Sequence, residues 1–338
     1  MILPATYSVT LLLLILSMLS WGSWANTQKL VGKWRFELFY FDYSFGVLLL
    51  AVIAAFTFGS LGTEGFGVMD NIAITGKKNL LYGFAGGVVF NLANMLLVAA
   101  ISVAGLAVAF PVGIGLALVI GVIWSYVLNP QGNRVLLFTG AALVVLAIVT
   151  DAIAYRWHAA AKAAASRKHG VRMTGVILSL VSGVLMGSFY PLVELGKAGD
   201  LMGLGPYSIG LIFALGVFFS TFLFNIYFMN LPVQGDVVKF SHYVRGTSRQ
   251  HLLGILGGVV WSIGAISNFV AASAPREVNV GPAVSYALGQ GATMVSTLWG
   301  LLVWKEFAGA TGQVKTLLTV MMVLFLAGLG LVSVAPLY

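Results

Sequence analysis

The sequence predicts an all-α membrane protein with ten transmembrane helices in two inverted five-helix repeats. Three observations carry that expectation. Ten apolar stretches, each about long enough to cross a bilayer, occupy nearly the whole chain. The positive charges gather on one set of alternate loops. Short strings in the first half recur, in the same order, in the second.

Composition fixes the solvent. Of 338 residues, 59% are hydrophobic and only 8% charged, where a soluble domain carries roughly 25% charged residues. The mean hydropathy is +0.99, so water is excluded as the medium of this chain and membrane lipid is its constant partner. The 41 glycines suit helices that pack through small residues in lipid. Cysteine is absent, which excludes disulfides and thiolate metal or redox sites.

The spans begin near Thr6, Ser44, Leu80, Gly105 and Val135, then near Thr174, Tyr207, Leu252, Gly281 and Thr316. Residues Met1 to Ala25 lack a basic n-region and a cleavage site, so they read as a retained first helix and not as a signal peptide. The hydrophilic run from Arg156 to Arg172 follows the fifth span. It divides the chain into a first repeat (1–155), a cytoplasmic linker (156–172) and a second repeat (173–338).

If the spans alternate, the loops around 28–36, 156–172, 239–249 and 304–315 share one side and hold thirteen of the eighteen Lys and Arg. The other five, Lys77, Lys78, Arg134, Lys197 and Arg276, lie opposite. The basic side is the cytoplasmic side, which puts both termini outside. The net charge of +8 therefore reports topology and calls for no nucleic acid.

Gly86-Gly87-Val88-Val89-Phe90 of span three matches Gly257-Gly258-Val259-Val260-Trp261 of span eight. Gly105 to Val119 aligns with Gly281 to Val295, and Gly22-Ser23-Trp24 with Gly187-Ser188-Phe189. The offsets of 165, 171 and 176 grow along the chain as loop insertions would make them. An odd number of spans per repeat inverts the second half relative to the first. That is the architecture of secondary transporters, with the site near the midplane and alternating access by rocking of the halves.

Polar groups inside hydrocarbon are costly, so each is a candidate for function with interhelical bonding as its structural competitor. Substrate-binding candidates are Trp21 and Ser23 in span one, Asn91 and Asn94 in span three, and Ser188 and Tyr190 in span six. Trp261 and Asn268 in span eight and Tyr286 and Gln290 in span nine complete the set. Amides and hydroxyls interleaved with ring faces suit a small, uncharged, hydrogen-bonding solute.

Proton coupling needs a carboxylate whose ionisation responds to burial. Glu194, three residues after the helix-interrupting Pro191, is the leading candidate, with Asp42 beside it. Asp42 and Asp151 share the basic side, so ion pairing is their competing role. Pro111 and Pro282 offer hinges in spans four and nine.

No HExxH or other metal-ligand spacing occurs within the spans, and no catalytic constellation points to an enzyme. Gly76-Lys77-Lys78 lacks the remainder of a phosphate loop, which argues against ATP-driven pumping. No cofactor is called for.

Phe41-Asp42-Tyr43, Leu50 to Ala55 and Thr57-Phe58-Gly59 resemble the second span of plant-type ureide permeases, and Ala85 to Val89 with Asn91, Leu92 and Asn94 resemble their third. Trp21-Gly22-Ser23 is similar to bacterial glucose/ribose porters. Both groups sit in the drug/metabolite transporter superfamily, whose larger members have ten helices in two inverted halves. The resemblance implies proton-coupled uptake of a small neutral solute such as a sugar, ureide or nucleobase. Kinship with the bacterial porters would place the chain in an inner (cytoplasmic) membrane. The central loop is much shorter than in the plant proteins, and the phosphate-loop motif typical of them is missing. The alternative within transport is an exporter of amphipathic metabolites or lipophilic cations. Span one has no acid to bind such a cation.

Overall fold

The computed structural model describes residues 1–104, 106–163, 173–198, 202–233, 235–275 and 277–338. Gly105, residues 164–172 of the expected linker and Arg276 lie outside the described residues. Within them the chain is helical, with no strand. In the first half, α1 (Tyr7–Ser23) and α2 (Ala25–Val31) are followed by α3 (Phe36–Phe56) and a short α4 (Val68–Ile74). Next come α5 (Lys77–Ala104), α6 (Leu106–Leu128) and α7 (Arg134–Ala163). The second half holds α8 (Met173–Lys197), α9 (Pro206–Asn230), a short α10 (Phe240–Val244) and α11 (Ser248–Ala271). It ends with α12 (Pro282–Gly289), α13 (Ala292–Leu302) and α14 (Gly312–Val334).

Among the described residues, eight helical stretches are long and apolar enough to cross a membrane. They contain α1 with α2, then α3, α5, α7, α8, α9, α11 and α14. The fourth and ninth expected spans stand apart. α6 offers a shorter apolar stretch, Val112–Leu128. The ninth is split at Gln290-Gly291 into helices of 8 and 11 residues.

Boundaries also move. The second span starts at Phe36, eight residues before Ser44, so Asp42 is drawn into the helix and buried. α7 continues through residue 155 to Ala163. Pro191 leaves α8 unbroken to Lys197. Pro282 does not kink a helix; it is the first residue of α12, where its missing N–H costs nothing, after Gly281 at φ 76°.

Side chains cap several helix starts. Thr6, Thr247 and Thr311 accept from the backbone N–H three residues on, and Gln250 returns the bond to Thr247 in a capping box. Between helices, glycines let backbones touch. On the α3–α11 crossing a methyl group at Gly46 would overlap the Ile255 carbonyl, and one at Gly258 the Tyr43 carbonyl. On the α9–α5 crossing the same holds for Gly216 with Phe84 and Gly87 with Phe213. Gly140 and Gly328 face each other's carbonyls where α7 meets α14. Close approach of this kind maximises van der Waals contact, which drives association where lipid supplies no hydrophobic force. Leu12, Val127, Leu223 and Leu326 point outward as a lipid-facing coat.

Candidate functional site

A cavity of about 280 Å³ lies between α1/α2, α5, α6, α8, α11 and the α12–α13 pair. Its inner surface is aromatic. Trp261 stacks on Phe90 with ring centroids 4.3 Å apart and on Trp21 at 5.9 Å, while Phe189 meets Phe90 edge-on at 5.3 Å. Trp24 continues the wall towards the mouth.

Polar groups interrupt this surface at Asn94, Gln290, Thr293 and Ser296. Asn94 donates to the Tyr40 hydroxyl at 3.0 Å, and its carbonyl oxygen accepts no bond among the described residues. Gln290 caps α12 with its backbone N–H. Among the described residues its side-chain amide makes no hydrogen bond within the protein, although the residue is only 9% exposed. The break between α12 and α13 therefore delivers an unspent amide to the cavity wall.

At the rim, Lys29 of α2 pairs with Glu306 Oε1, and the Tyr155 hydroxyl donates to Glu306 Oε2 at 2.5 Å. Lys29 is half-exposed, and the rim sits at the end of the molecule that carries the loop between α13 and α14.

Beyond the aromatic floor the same helices close up. Tyr190 donates to Asn268 Oδ1 at 2.6 Å, and Asn268 Nδ2 reaches the Ser285 carbonyl at 3.0 Å and Ser17 Oγ at 3.3 Å. The Tyr286 hydroxyl points at the carbonyls of Met186 and Ala117 at 3.2 and 3.3 Å. These side chains are fully buried and join α1, α6, α8, α11 and α12.

The expected binding residues thus divide. Trp21, Asn94, Trp261 and Gln290 line the cavity. Tyr190, Asn268 and Tyr286 form the closed layer behind it. Asn91 is turned away to α9, donating to Ser220 Oγ at 2.8 Å and Thr221 Oγ1 at 3.0 Å. Ser23 accepts from Trp299 Nε1 at 2.8 Å, and Ser188 bonds back to the Val184 carbonyl at 2.6 Å.

Both expected proton carriers are held by partners outside the cavity. Lys197 donates to Glu194 Oε1 at 2.8 Å. Asp42 has both oxygens occupied, by the Tyr243 hydroxyl and His251 Nδ1, each at 2.7 Å. Burial and the hydrogen bond to this carboxylate push the Tyr243 phenol well above its ordinary range, so it remains a donor.

Several wall residues escaped the sequence reading of single polar groups: Phe90, Phe189, Tyr155 and Glu306. A signal for two of them was present. The recurring strings end in Phe90/Trp261 and Trp24/Phe189, and all four of those rings line the cavity.

Comparison with known proteins bears on this site. The family described as ureide permease matches residues 39–172, from within α3 through α7. The chain is similar to ureide permeases. Ureide permease 1 of Arabidopsis thaliana is 22% identical over 93% of this chain and 93% of its own length. Ureide permease 2 of the same plant is 23% identical over 93% and 94%. These relatives are named as permeases, carriers and not enzymes. A solved crystal structure superposes with a TM-score of 0.62 over 97% of this chain and 96% of its own, at 16% identity, and shares the fold.

Proposed function

We propose that this protein is a secondary active transporter that takes up a ureide or closely related neutral solute together with protons, by alternating access. The observation that carries the reading is the cavity, an aromatic enclosure with an unspent amide at Gln290 and a free carbonyl at Asn94. A ureide is a flat polar group with both N–H donors and carbonyl acceptors. Rings cover its faces and amides meet its edges. The names of the relatives, permeases for ureides, support the same solute class. A sugar asks for the same lining and is the natural competitor.

Ten crossings in two inverted halves, divided between α7 and α8, are part of this reading. Its support is pairwise. Gly46 and Gly216 occupy matching places in α3 and α9, and Gly258 and Gly87 in α11 and α5; each meets a carbonyl of the corresponding helix. Gly22 packs on the Ala292 carbonyl and Val295 of α13 as Gly187 packs on the Ala117 carbonyl and Ile120 of α6. A duplicated unit gives such reciprocal contacts, and inverted repeats rock about a shared site. With the basic loops in the cytoplasm, the cavity mouth at Lys29 and Glu306 opens inward. An exporter of cations would want an unneutralised carboxylate in the wall; Glu306, the acid there, is bound by Lys29 and Tyr155.

Thermal unfolding of the detergent-purified protein against ureides, nucleobases, sugars and lipophilic cations tests the substrate class. A ligand of the native state raises the melting temperature by mass action. A rise with a ureide that shrinks in Gln290→Ala is the expected result. A rise with cations alone overturns the reading.

A further inference from the structure

Behind the cavity wall lies a buried carboxylate without a cation. Asp151 of α7 is 6% exposed. The Thr297 hydroxyl of α13 lies 3.2 Å from Asp151 Oδ2 and 3.0 Å from the Thr293 carbonyl, so one hydrogen serves both acceptors, while Asp151 Oδ1 is buried with no hydrogen-bond partner among the described residues. The ion pairs found among the described residues engage Glu37, Asp42, Glu194 and Glu306, and none engages Asp151. An ionised carboxylate in this position has lost its hydration and gained one neutral hydrogen bond. That balance disfavours the charged form. A bound proton relieves it.

The surroundings give the proton a way in and out. Asp151, Tyr155 and His158 are spaced four and three residues apart, so they stand on one face of α7. Tyr155 donates to Glu306 Oε2, and His158 Nε2 is 2.9 Å from the Glu306 carbonyl oxygen, with its Nδ1 buried and unpartnered among the described residues. The stripe runs from a buried carboxyl to groups at the cavity rim, each able to accept and release a proton. Among the described residues, the ionisable groups facing it from other elements are Glu306, in the loop before α14, and Lys29 of α2, which is bound to Glu306. α6 carries no charged residue. The one charged residue of α14, Lys315, is exposed and makes no ion pair with Asp151 among the described residues.

Thr297 supplies the link to substrate. α13 begins directly after the break at Gln290, lines the cavity with Thr293 and Ser296, and presents Thr297 to Asp151. A shift of α13 when solute engages Gln290 alters the one hydrogen bond that Asp151 accepts.

We propose that Asp151 is the proton-binding group of the transport cycle, with Tyr155, Glu306 and His158 as its path to the cavity mouth. Thr297 tells it where α13 stands. The assignment rests on the proton-coupled reading above and moves the coupling site away from Glu194 and Asp42.

The test uses the full chain in proteoliposomes with labelled allantoin, a representative ureide. Accumulation is driven by an imposed pH gradient, and counterflow without a gradient is measured alongside. Asp151→Asn is expected to lose accumulation, falling to passive equilibration, while counterflow stays at the wild-type level. Proton uptake on allantoin binding, followed with a pH dye in detergent, should vanish in the same variant. Thr297→Val should lower accumulation and Thr297→Ser restore it; this pair carries the test if Asp151→Asn unfolds in a thermal melt. A folded Asp151→Asn that still accumulates allantoin overturns the assignment and leaves proton-coupled uptake standing. A folded variant that loses counterflow as well also overturns it, because the residue then serves turnover itself. Wild-type uptake indifferent to the pH gradient overturns the proton-coupled reading, and this assignment with it.

Discussion

The two ends of the helix bundle are built from the same elements and do opposite things. Towards the basic loops, α1, α8, α11 and α12–α13 separate around about 280 Å³ of space, with Gln290 and Asn94 keeping hydrogen-bonding groups unspent. A turn or two further along the same helices, Tyr190 and Asn268 spend theirs on each other, on Ser17 and on the Ser285 carbonyl, and Tyr286 spends its own on two helix carbonyls. Polar residues of similar type thus serve as site in one layer and as latch in the next. What separates the roles is which atoms are already bonded, and that depends on packing between helices remote in sequence.

The sharpest way to break this comparison is by access. The chain has no cysteine, so a single introduced thiol reports alone. Thr293→Cys in the cavity wall should react with a membrane-impermeant maleimide applied from the side of the basic loops. Ser285→Cys, in the closed layer, should stay unreactive from either side. Equal labelling of both would erase the distinction between an open and a closed end.

The latch should also dominate stability. Asn268→Leu removes the bonds that Asn268 makes with the Tyr190 hydroxyl, Ser17 Oγ and the Ser285 carbonyl, all buried. An orphaned buried group costs about 1–3 kcal/mol, although interhelical bonds in membranes average nearer 0.6 kcal/mol. A loss of about 2 kcal/mol is expected, visible as a lower melting temperature. Asn91→Leu is the graded control. Ser220 and Thr221 each keep a bond to the Val217 carbonyl on their own helix. The loss should be about 1 kcal/mol, with ureide affinity unchanged because Asn91 faces α9. A weakened affinity in Asn91→Leu would mean that the α5–α9 seam belongs to the site after all.

How much of this was legible in the sequence follows from the same physics. Membrane residence, helix content and most of the span positions could be read because hydrophobicity is summed over some twenty residues and tolerates local exceptions. The second span's early start was hidden by Glu37 and Asp42, charges that read as loop but are held in the helix by the Arg35 ion pair and by hydrogen bonds from Tyr243 and His251. The split of the ninth span left only Gln290-Gly291 as a trace. Within the site, Trp21, Asn94, Trp261 and Gln290 were found as intramembrane polar or aromatic groups, but the same rule also selected Asn91 and Asn268. Residue type signals that a partner is needed. It does not reveal whether that partner is another helix or a solute. Asp151 illustrates the reverse error: it shares its side with the basic loops, which suggested an ion pair, yet its neighbours in space are Thr297 and the Tyr155–Glu306 pair.

The smallest change in stability should come from the largest change in binding. Gln290 sits at the break between α12 and α13, where its backbone already caps the helix and its side chain makes no bond within the protein among the described residues. Removing the amide in Gln290→Ala strands nothing, so the melting temperature of the empty protein should move by no more than the equivalent of about 0.5 kcal/mol. The solute loses a hydrogen bond of about 0.5–1.5 kcal/mol, which weakens affinity by up to about tenfold. Trp261→Ala makes the contrasting pair. Its ring stacks against Trp21, Phe90 and Phe213, so truncation opens the floor and costs about 3 kcal/mol of stability as well as binding. Equilibrium binding and thermal melts on both variants separate the two roles. If Gln290→Ala destabilised the empty protein as much as Trp261→Ala does, the amide would be part of the scaffold, and the open end would lose the one group that most clearly awaits a solute.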